Sequence, residues 1–365
     1  MDSAGLPDKT CRIPQDSMEN LAIYKDYIDL IQDELHSFLT NFPGPSGYYD
    51  YLLYHFGFKA LEAVPTNGSL RHLGKRLRPV MCLLIYKAIT GETKPVMPLV
   101  LSAEIMHNAS LIHDDIQDHD EIRWGRPTVW KVAGLEQGIN FGDTLQAMAY
   151  GLILDLGKMG IDHEMITKII ASSNQVHIAA VEGQFMDLLF EKRSDISEAE
   201  YFEMIGKKTA TPFAGIAECA SLLATGGKNP EVVAAYRNFA TKFGMLFQLT
   251  DDILGIWGDL EKTGKLPADI QNNKKTLPII YALQHAQGEN RKLLFSLYSN
   301  GKKKNGESSK VLQILEETDI KKLCQDQAKK FYDETIAALH DTKISNSVQE
   351  QLRHMADYCF QRSQV

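Results

Sequence analysis

EVVAAYRNFATKFGMLFQLTDDILGIW, residues 231–257, carries apolar side chains at helical spacing along almost its whole length and meets two adjacent aspartates near its end. At about 100° per residue, such spacing gathers one apolar stripe and leaves the opposite face wet. The same pattern governs MENLAIYKDYIDLIQDELHSFL (18–39) and VQEQLRHMADYCFQR (348–362), whereas alternating stretches of the strand type are few and short. The chain therefore reads as all-α. Breaks fall at 41–50, 65–69, 89–95 and 223–230, and SNGKKKNGESSK (299–310) is the clearest surface loop. A length of 365 residues would suggest roughly two domains at about 150 residues each, but none of these breaks is long enough to be a linker. The expectation is a flexible N-terminal segment over residues 1–20 and a single domain over residues 21–365.

The composition is 44% hydrophobic and 24% charged, which can fill a sizeable core and excludes disorder as the main state. Lys and Arg number 39 against 47 Asp and Glu, a net charge of −8, so no uniformly basic surface is available to track a phosphate backbone, and nucleic acid is not an expected partner. Five cysteines, odd in number, widely scattered and without a Cys-x-x-Cys pair, suit a reducing compartment. The first twenty residues mix acids with bases and lack the apolar core of a secretory signal. No apolar run approaches about eighteen residues, so no transmembrane segment is expected and a cytoplasmic protein is. Nucleotide-binding glycine loops are absent, and His163-Glu164 lacks the second histidine of a zincin helix.

What remains is carboxylate-rich. In SLIHDDIQDHDEIRWGRPTVW (110–130), Asp114, Asp115 and Asp118 stand at i, i+1 and i+4, so Asp114 and Asp118 lie only about 40° apart on one helical face. His107 precedes Asp114 by two turns in the apolar stretch VLSAEIMHNASLIHDD. Asp251 and Asp252 close the second apolar helix and are followed by Asp259, Lys262 and Lys265. One such pair alone is a solvated helix end. Two pairs of hard oxygen ligands without Cys or His suit Mg²⁺, which commonly bridges a few carboxylates to substrate phosphates. Lys75, Arg76 and Arg78 in GKRLRP, with Lys207, Lys208 and Thr209 in IGKKTATP, could then bind phosphate as point charges and forks.

These blocks resemble the trans-isoprenyl diphosphate synthases, including geranylgeranyl diphosphate synthases. GKRLRP (74–79) is similar to that family's Gly-Lys-x-x-Arg-Pro, HDDIQDHDEIRWGRPT to its first Asp-rich motif and FQLTDDILGIWGD to its second. GQFMDL (183–188), Lys208-Thr209 and TGKLPADIQNNKKTLPIIYAL (263–283) fall in the same order. The resemblance implies the isoprenoid synthase fold, a single large bundle of mostly antiparallel helices around a deep central pocket, usually in a homodimer. It also implies an Mg²⁺-dependent prenyltransferase that joins isopentenyl diphosphate to an allylic prenyl diphosphate. Carried over, Asp114, Asp118 and Asp251 are the metal ligands of a trinuclear Mg²⁺ cluster, with Asp115, Asp252, Gln184 and Asp187 in support. Arg123, Lys208 and Lys265 contact the allylic diphosphate, Lys75, Arg78 and His107 grip isopentenyl diphosphate, and Thr209 and Gln248 line the space between the substrates.

Two departures stand out. Trp124 occupies a position where the family usually has a second arginine before the glycine, and Gly255 replaces the last aspartate of the second motif. They motivate an alternative, a terpene synthase of the same fold that ionises a prenyl diphosphate without condensation. A third reading is a non-catalytic subunit, against which the intact Asp114, Asp118, Asp251 and Lys75 argue. The pocket floor implied by the resemblance comprises Met106, Ala109 and Ser110. Two small residues and one methionine there imply a twenty-carbon product, geranylgeranyl diphosphate.

Overall fold

A computed structural model describes residues 21–45, 47–62, 64, 74–258, 269–299 and 306–365. Apart from one two-residue antiparallel pairing, Ile122–Arg123 with Arg126–Pro127, the regular structure among the described residues is helical. The all-α expectation holds. The chain gathers into two compact units, Met1–Val80 with Pro98–Asp155, and Met81–Met97 with Leu156–Val365.

In the first unit, Met97–Gln117 is the helix that carries the first aspartates. Val100, Ile105, Ala109 and Ile112 are fully buried along it. Ser102 Oγ donates to the Ala149 carbonyl at 2.8 Å, which ties this helix to Leu135–Leu154. A side chain at Gly142 would collide with the His113 ring, so the glycine leaves room for that ring against the helix. Helix Tyr48–His55 is joined to the same group through the Tyr48 hydroxyl, 2.6 Å from Thr144 Oγ1.

The second unit is organised by Pro230–Trp257, whose proline sits in the first turn, where no intrahelical N–H is required. Tyr236, Phe239, Ala240, Phe243, Leu246, Leu249 and Ile253 are at most 1% exposed, the stripe that the sequence spacing requires. Helices Thr211–Thr225, Ile320–His340 and Ser347–Arg362 pack around it. Thr211–Thr225 stops at Gly226, whose φ of 58° lets the Gly227 N–H return to the Leu222 carbonyl at 3.0 Å. Helix Glu198–Ile205 starts on a capping box of Ser197 and Glu200. The stretch Met81–Ile85 is fully buried, and Asn346, which caps the last helix through the Val348 and Gln349 N–H groups, also donates to the Ala88 carbonyl at 2.9 Å.

Candidate active site

In the first unit the three aspartates part company. Asp118 lies one residue beyond the helix, but its N–H still donates to the Asp114 carbonyl at 2.8 Å, so the helical repeat continues and both carboxylates share a face. Asp115 points inward. Its side chain is 1% exposed, and one oxygen takes Nε and Nη2 of Arg123, each at 2.7 Å. Burial pushes its carboxyl up to about 6 against the pull of that guanidinium, and its other oxygen is buried without a hydrogen-bond partner. Asp115 thus aims Arg123.

Arg123 ends the first strand of a hairpin with Trp124-Gly125 at its tip, paired Arg123 to Arg126. Both tip residues have positive φ, 51° and 73°, as a two-residue type I′ turn requires, although a bulky residue at the first position is strained. The Trp124 indole reaches within van der Waals distance of where a Cβ at Gly74 would stand, 3.6 Å. Tyr54, His55, Asp115, Arg123, Trp124 and Arg126 line a small cleft.

The basic segment 74–79 divides in the same way. Arg76 is buried in an ion pair with Glu104, which also accepts from Asn108 Nδ2 at 2.7 Å, while Asn108 Oδ1 meets His55 Nε2 at 3.1 Å. Arg76 is therefore a structural cation, removed from the phosphate candidates. Burial first, then the charge of Arg123, lowers His55 to about 3. Arg78 Nη1 lies 3.4 Å from His107 Nε2. Desolvation, followed by Arg78, Arg123 and Arg76, keeps the His107 ring well below its ordinary value, so it is neutral and can accept from Arg78. On the helix above, Ser110 is exposed and Met106 partly so, whereas Ala109 is fully buried.

In the second unit the aspartate pair repeats the division. Asp251 is 39% exposed and meets Arg362 Nη2 at 3.3 Å. Asp252 is buried and accepts from the Tyr201 hydroxyl at 2.5 Å, Gln248 Nε2 at 2.8 Å and the Leu277 N–H at 3.0 Å. Burial raises its carboxyl to about 6 despite these donors. Gln248 in turn accepts from the Thr209 hydroxyl at 2.6 Å. The carboxylate of Asp269 fills the space that any side chain at Gly255 would enter.

Thr209 and Lys208 belong to a π-helical turn, Gly206–Ala210, between Glu198–Ile205 and Thr211–Thr225. The Gly206 carbonyl accepts both the Thr211 N–H and, at 2.9 Å, the Thr211 hydroxyl. Lys208 Nζ donates to Asp187 at 2.6 Å, and Lys274 approaches the same carboxylate at 3.7 Å. Burial is the largest influence on Asp187, yet the two ammonium groups hold it below its ordinary value. Gln184 lies three residues before Asp187 on helix His163–Phe190.

Among the described residues, no three His, Cys, Asp or Glu side chains gather so as to cage a metal ion by themselves. The accessible donors are carboxylate oxygens, two on one helical face and one on another helix. Within the first unit the Asp114 and Asp118 pair fits Mg²⁺, which keeps several waters and takes one or two carboxylates plus phosphate oxygens, and it does not fit a structural zinc site. Residues 63–315 match the family described as Polyprenyl synthetase. The chain belongs to the polyprenyl synthetase family. The geranylgeranyl diphosphate synthase of Saccharolobus solfataricus is 34% identical over 295 residues, 79% of this chain and 86% of that protein. The geranylfarnesyl diphosphate synthase of Aeropyrum pernix is 36% identical over 241 residues, 64% of this chain and 75% of that protein. The crystal structure of geranylgeranyl pyrophosphate synthetase from Pyrococcus horikoshii aligns at a TM-score of 0.80 and 25% identity, covering 95% of this chain and 99% of that one. As a polyprenyl synthetase the chain is a trans-prenyltransferase with the all-α isoprenoid synthase fold.

Lys265, with Asp259 and Lys262, lies outside the described residues. Sequence reasoning missed four side chains that bear on the candidate residues and the groups beside them. They are Arg362 beside Asp251, Tyr201 on Asp252, Asp269 against Gly255 and Glu104 on Arg76. None belongs to a local motif with its partner. Only the glycine at position 255, in place of an acid, hinted that something else fills that space.

Proposed function

We propose that this polyprenyl synthetase condenses isopentenyl diphosphate with an allylic prenyl diphosphate, farnesyl diphosphate being the primer that leads to geranylgeranyl diphosphate. The observation that carries this reading is the repeated division within the two Asp pairs. Asp114, Asp118 and Asp251 keep accessible carboxylates, while Asp115 and Asp252 are buried and bonded to the groups they hold in place. The accessible three are the proposed ligands of a trinuclear Mg²⁺ cluster. Bound Mg²⁺ would supply neutralisation of the allylic diphosphate as negative charge develops on it.

The remaining work belongs to the side chains. Arg123, held by Asp115, and Lys208, held by Asp187, donate to the allylic diphosphate, with Lys265 in the same proposed role. Lys75 and Arg78 take isopentenyl diphosphate, and neutral His107 supports Arg78. Thr209 and Gln248 form a hydrogen-bonded pair that would line the space between the substrates. No side chain in a base's role is needed, because the departing diphosphate can accept the proton lost after the double bond attacks. Both units carry motif residues, so we take residues 21–365 as one functional domain.

Two further features extend the reading. Ile178, Val181, Phe185 and Leu189 form an exposed apolar stripe on one helix, with Phe185 66% exposed, which supports a homodimer. No described helix is long and apolar enough to cross a membrane, and Cys82, Cys219, Cys324 and Cys359 are free and buried, which suits the cytoplasm.

Incubation with Mg²⁺, farnesyl diphosphate and labelled isopentenyl diphosphate tests the function. Label in geranylgeranyl diphosphate is the expected result. Unlabelled hydrocarbon or alcohol would overturn it in favour of a terpene synthase. Trp124→Arg in the same assay shows whether the indole slows condensation.

A further inference from the structure

The π turn at Gly206–Ala210 is unusually closely approached by backbone. A Cβ on Gly183, in helix His163–Phe190, would clash with the Lys208 N–H and stand 2.8 Å from Lys208 Cα and 2.9 Å from the Lys207 carbonyl carbon. A Cβ on Gly244, in helix Pro230–Trp257, would stand 2.6 Å from Ala210 Cα. In both cases the obstacle is main chain, which cannot swing aside as a side chain can. Two helices therefore press their bare backbones on the one segment that presents Lys208 and Thr209. The turn also holds one residue more than an α-helical repeat accommodates, and such turns recur at functional sites.

We propose that Gly183, seconded by Gly244, is a positioning residue that sets the Lys208 ammonium and the Thr209 hydroxyl by fixing the π turn, and so tunes the affinity for a diphosphate group. This rests on the reading of Lys208 as a diphosphate contact. Gly183 lies one turn before Asp187, the carboxylate that holds Lys208 Nζ at 2.6 Å. The helix segment that sets the main chain of Lys208 thus also sets the partner of its side chain. A methyl group at 183 must drive the turn away from Asp187 by a sizeable fraction of an ångström. Displacements of that order at a binding group are expensive.

Gly215 supplies the control. It lies in Thr211–Thr225, packs against the same helix His163–Phe190, and a Cβ there would meet the Val176 side chain, 3.1 Å from Cγ1 and closer still to Cγ2. Gly215→Ala therefore crowds the same helix, against a side chain rather than the main chain, without pressing on the π turn.

The experiment is titration calorimetry of inorganic pyrophosphate with Mg²⁺ into the full chain and its variants, with Tm recorded for each. Gly183→Ala is expected to weaken pyrophosphate binding roughly tenfold or more, whereas Gly215→Ala lowers Tm and leaves binding within about twofold. In a Lys208→Ala background, Gly183→Ala should add much less than it costs alone, because the charged group it displaces is gone and only the Thr209 hydroxyl remains to be moved. Gly244→Ala gives the same measurement should Gly183→Ala fail to fold. Wild-type affinity in Gly183→Ala, equal losses in Gly183→Ala and Gly215→Ala, or additive losses with Lys208→Ala would each overturn the proposal. Unchanged pyrophosphate affinity in Lys208→Ala alone would instead locate the error in the reading of Lys208.

Discussion

Asp251 and Asp252 are chemically identical neighbours with opposite duties, and substitution separates them. Asp252→Asn leaves a side chain that cannot accept from Tyr201, Gln248 and the Leu277 N–H through two carboxylate oxygens, so it should lower unfolding free energy by about 1–3 kcal/mol. Asp251→Asn changes a half-exposed group and should cost less than about 1 kcal/mol, yet reduce turnover on the order of 100-fold. Chemical denaturation and a condensation assay on both variants check the contrast. His55 gives a pH prediction. The fold holds it neutral to about 3, whereas the unfolded chain takes a proton near 6.5, so its stabilisation is complete above 6.5 and is lost as pH falls towards 3. Between pH 7.5 and 5.0 the wild type should lose about 2 kcal/mol more than His55→Gln. Asp115 and Asp252 have raised pKa values and act in the opposite sense in both proteins, so the difference isolates His55. The sequence made both aspartate pairs legible, because spacing alone puts neighbours about 100° apart. It could not say which member turns inward, since Arg123 is eight residues from Asp115 and Tyr201 is fifty-one from Asp252.

Helix Met97–Gln117 and its extension to Asp118 show how much an element adds to a residue. Met106, Ser110, Asp114 and Asp118 recur every four residues along one face, while Ala109 turns into the unit's interior. Of the three residues expected to form a pocket floor, Ser110 and Met106 are therefore the ones open to substitution from outside. Ser110→Phe should shift the product to fewer carbons and Met106→Ala to more, read by chromatography of the dephosphorylated products. An unchanged distribution in both variants would remove this face from the control of chain length. The long helices were legible because their apolar stripes are long: Pro230–Trp257 and Ser347–Arg362 fall within a residue of their periodic patterns. The hairpin and the π turn were not. Two residues per strand leave no alternation to read, and the π turn at Gly206–Ala210 lies against Gly183 and Gly244, a tertiary approach that local propensity does not encode.

At the scale of the molecule, the apolar stripe at Ile178, Val181, Phe185 and Leu189 gives the proposed dimer a direct test. Phe185→Asp should convert it to monomer in sedimentation experiments while circular dichroism keeps the helical signal, because the substituted side chain is 66% exposed. A dimer unaffected by this change would place the interface elsewhere. The order in which the chain visits its two units carries a consequence for biosynthesis. Met81–Met97 belongs with Leu156–Val365, and the Asn346 side chain that binds the Ala88 carbonyl comes 258 residues later. At about 5–20 residues per second, a ribosome needs roughly 13 to 50 seconds to cover that interval. Early in that interval, before Leu156–Val365 is made, the apolar segment MCLLI at 81–85, fully buried in the finished protein, has emerged without the unit to which it belongs. Slow translation or scarce chaperones should therefore lower the yield of this enzyme before any step of its chemistry is touched.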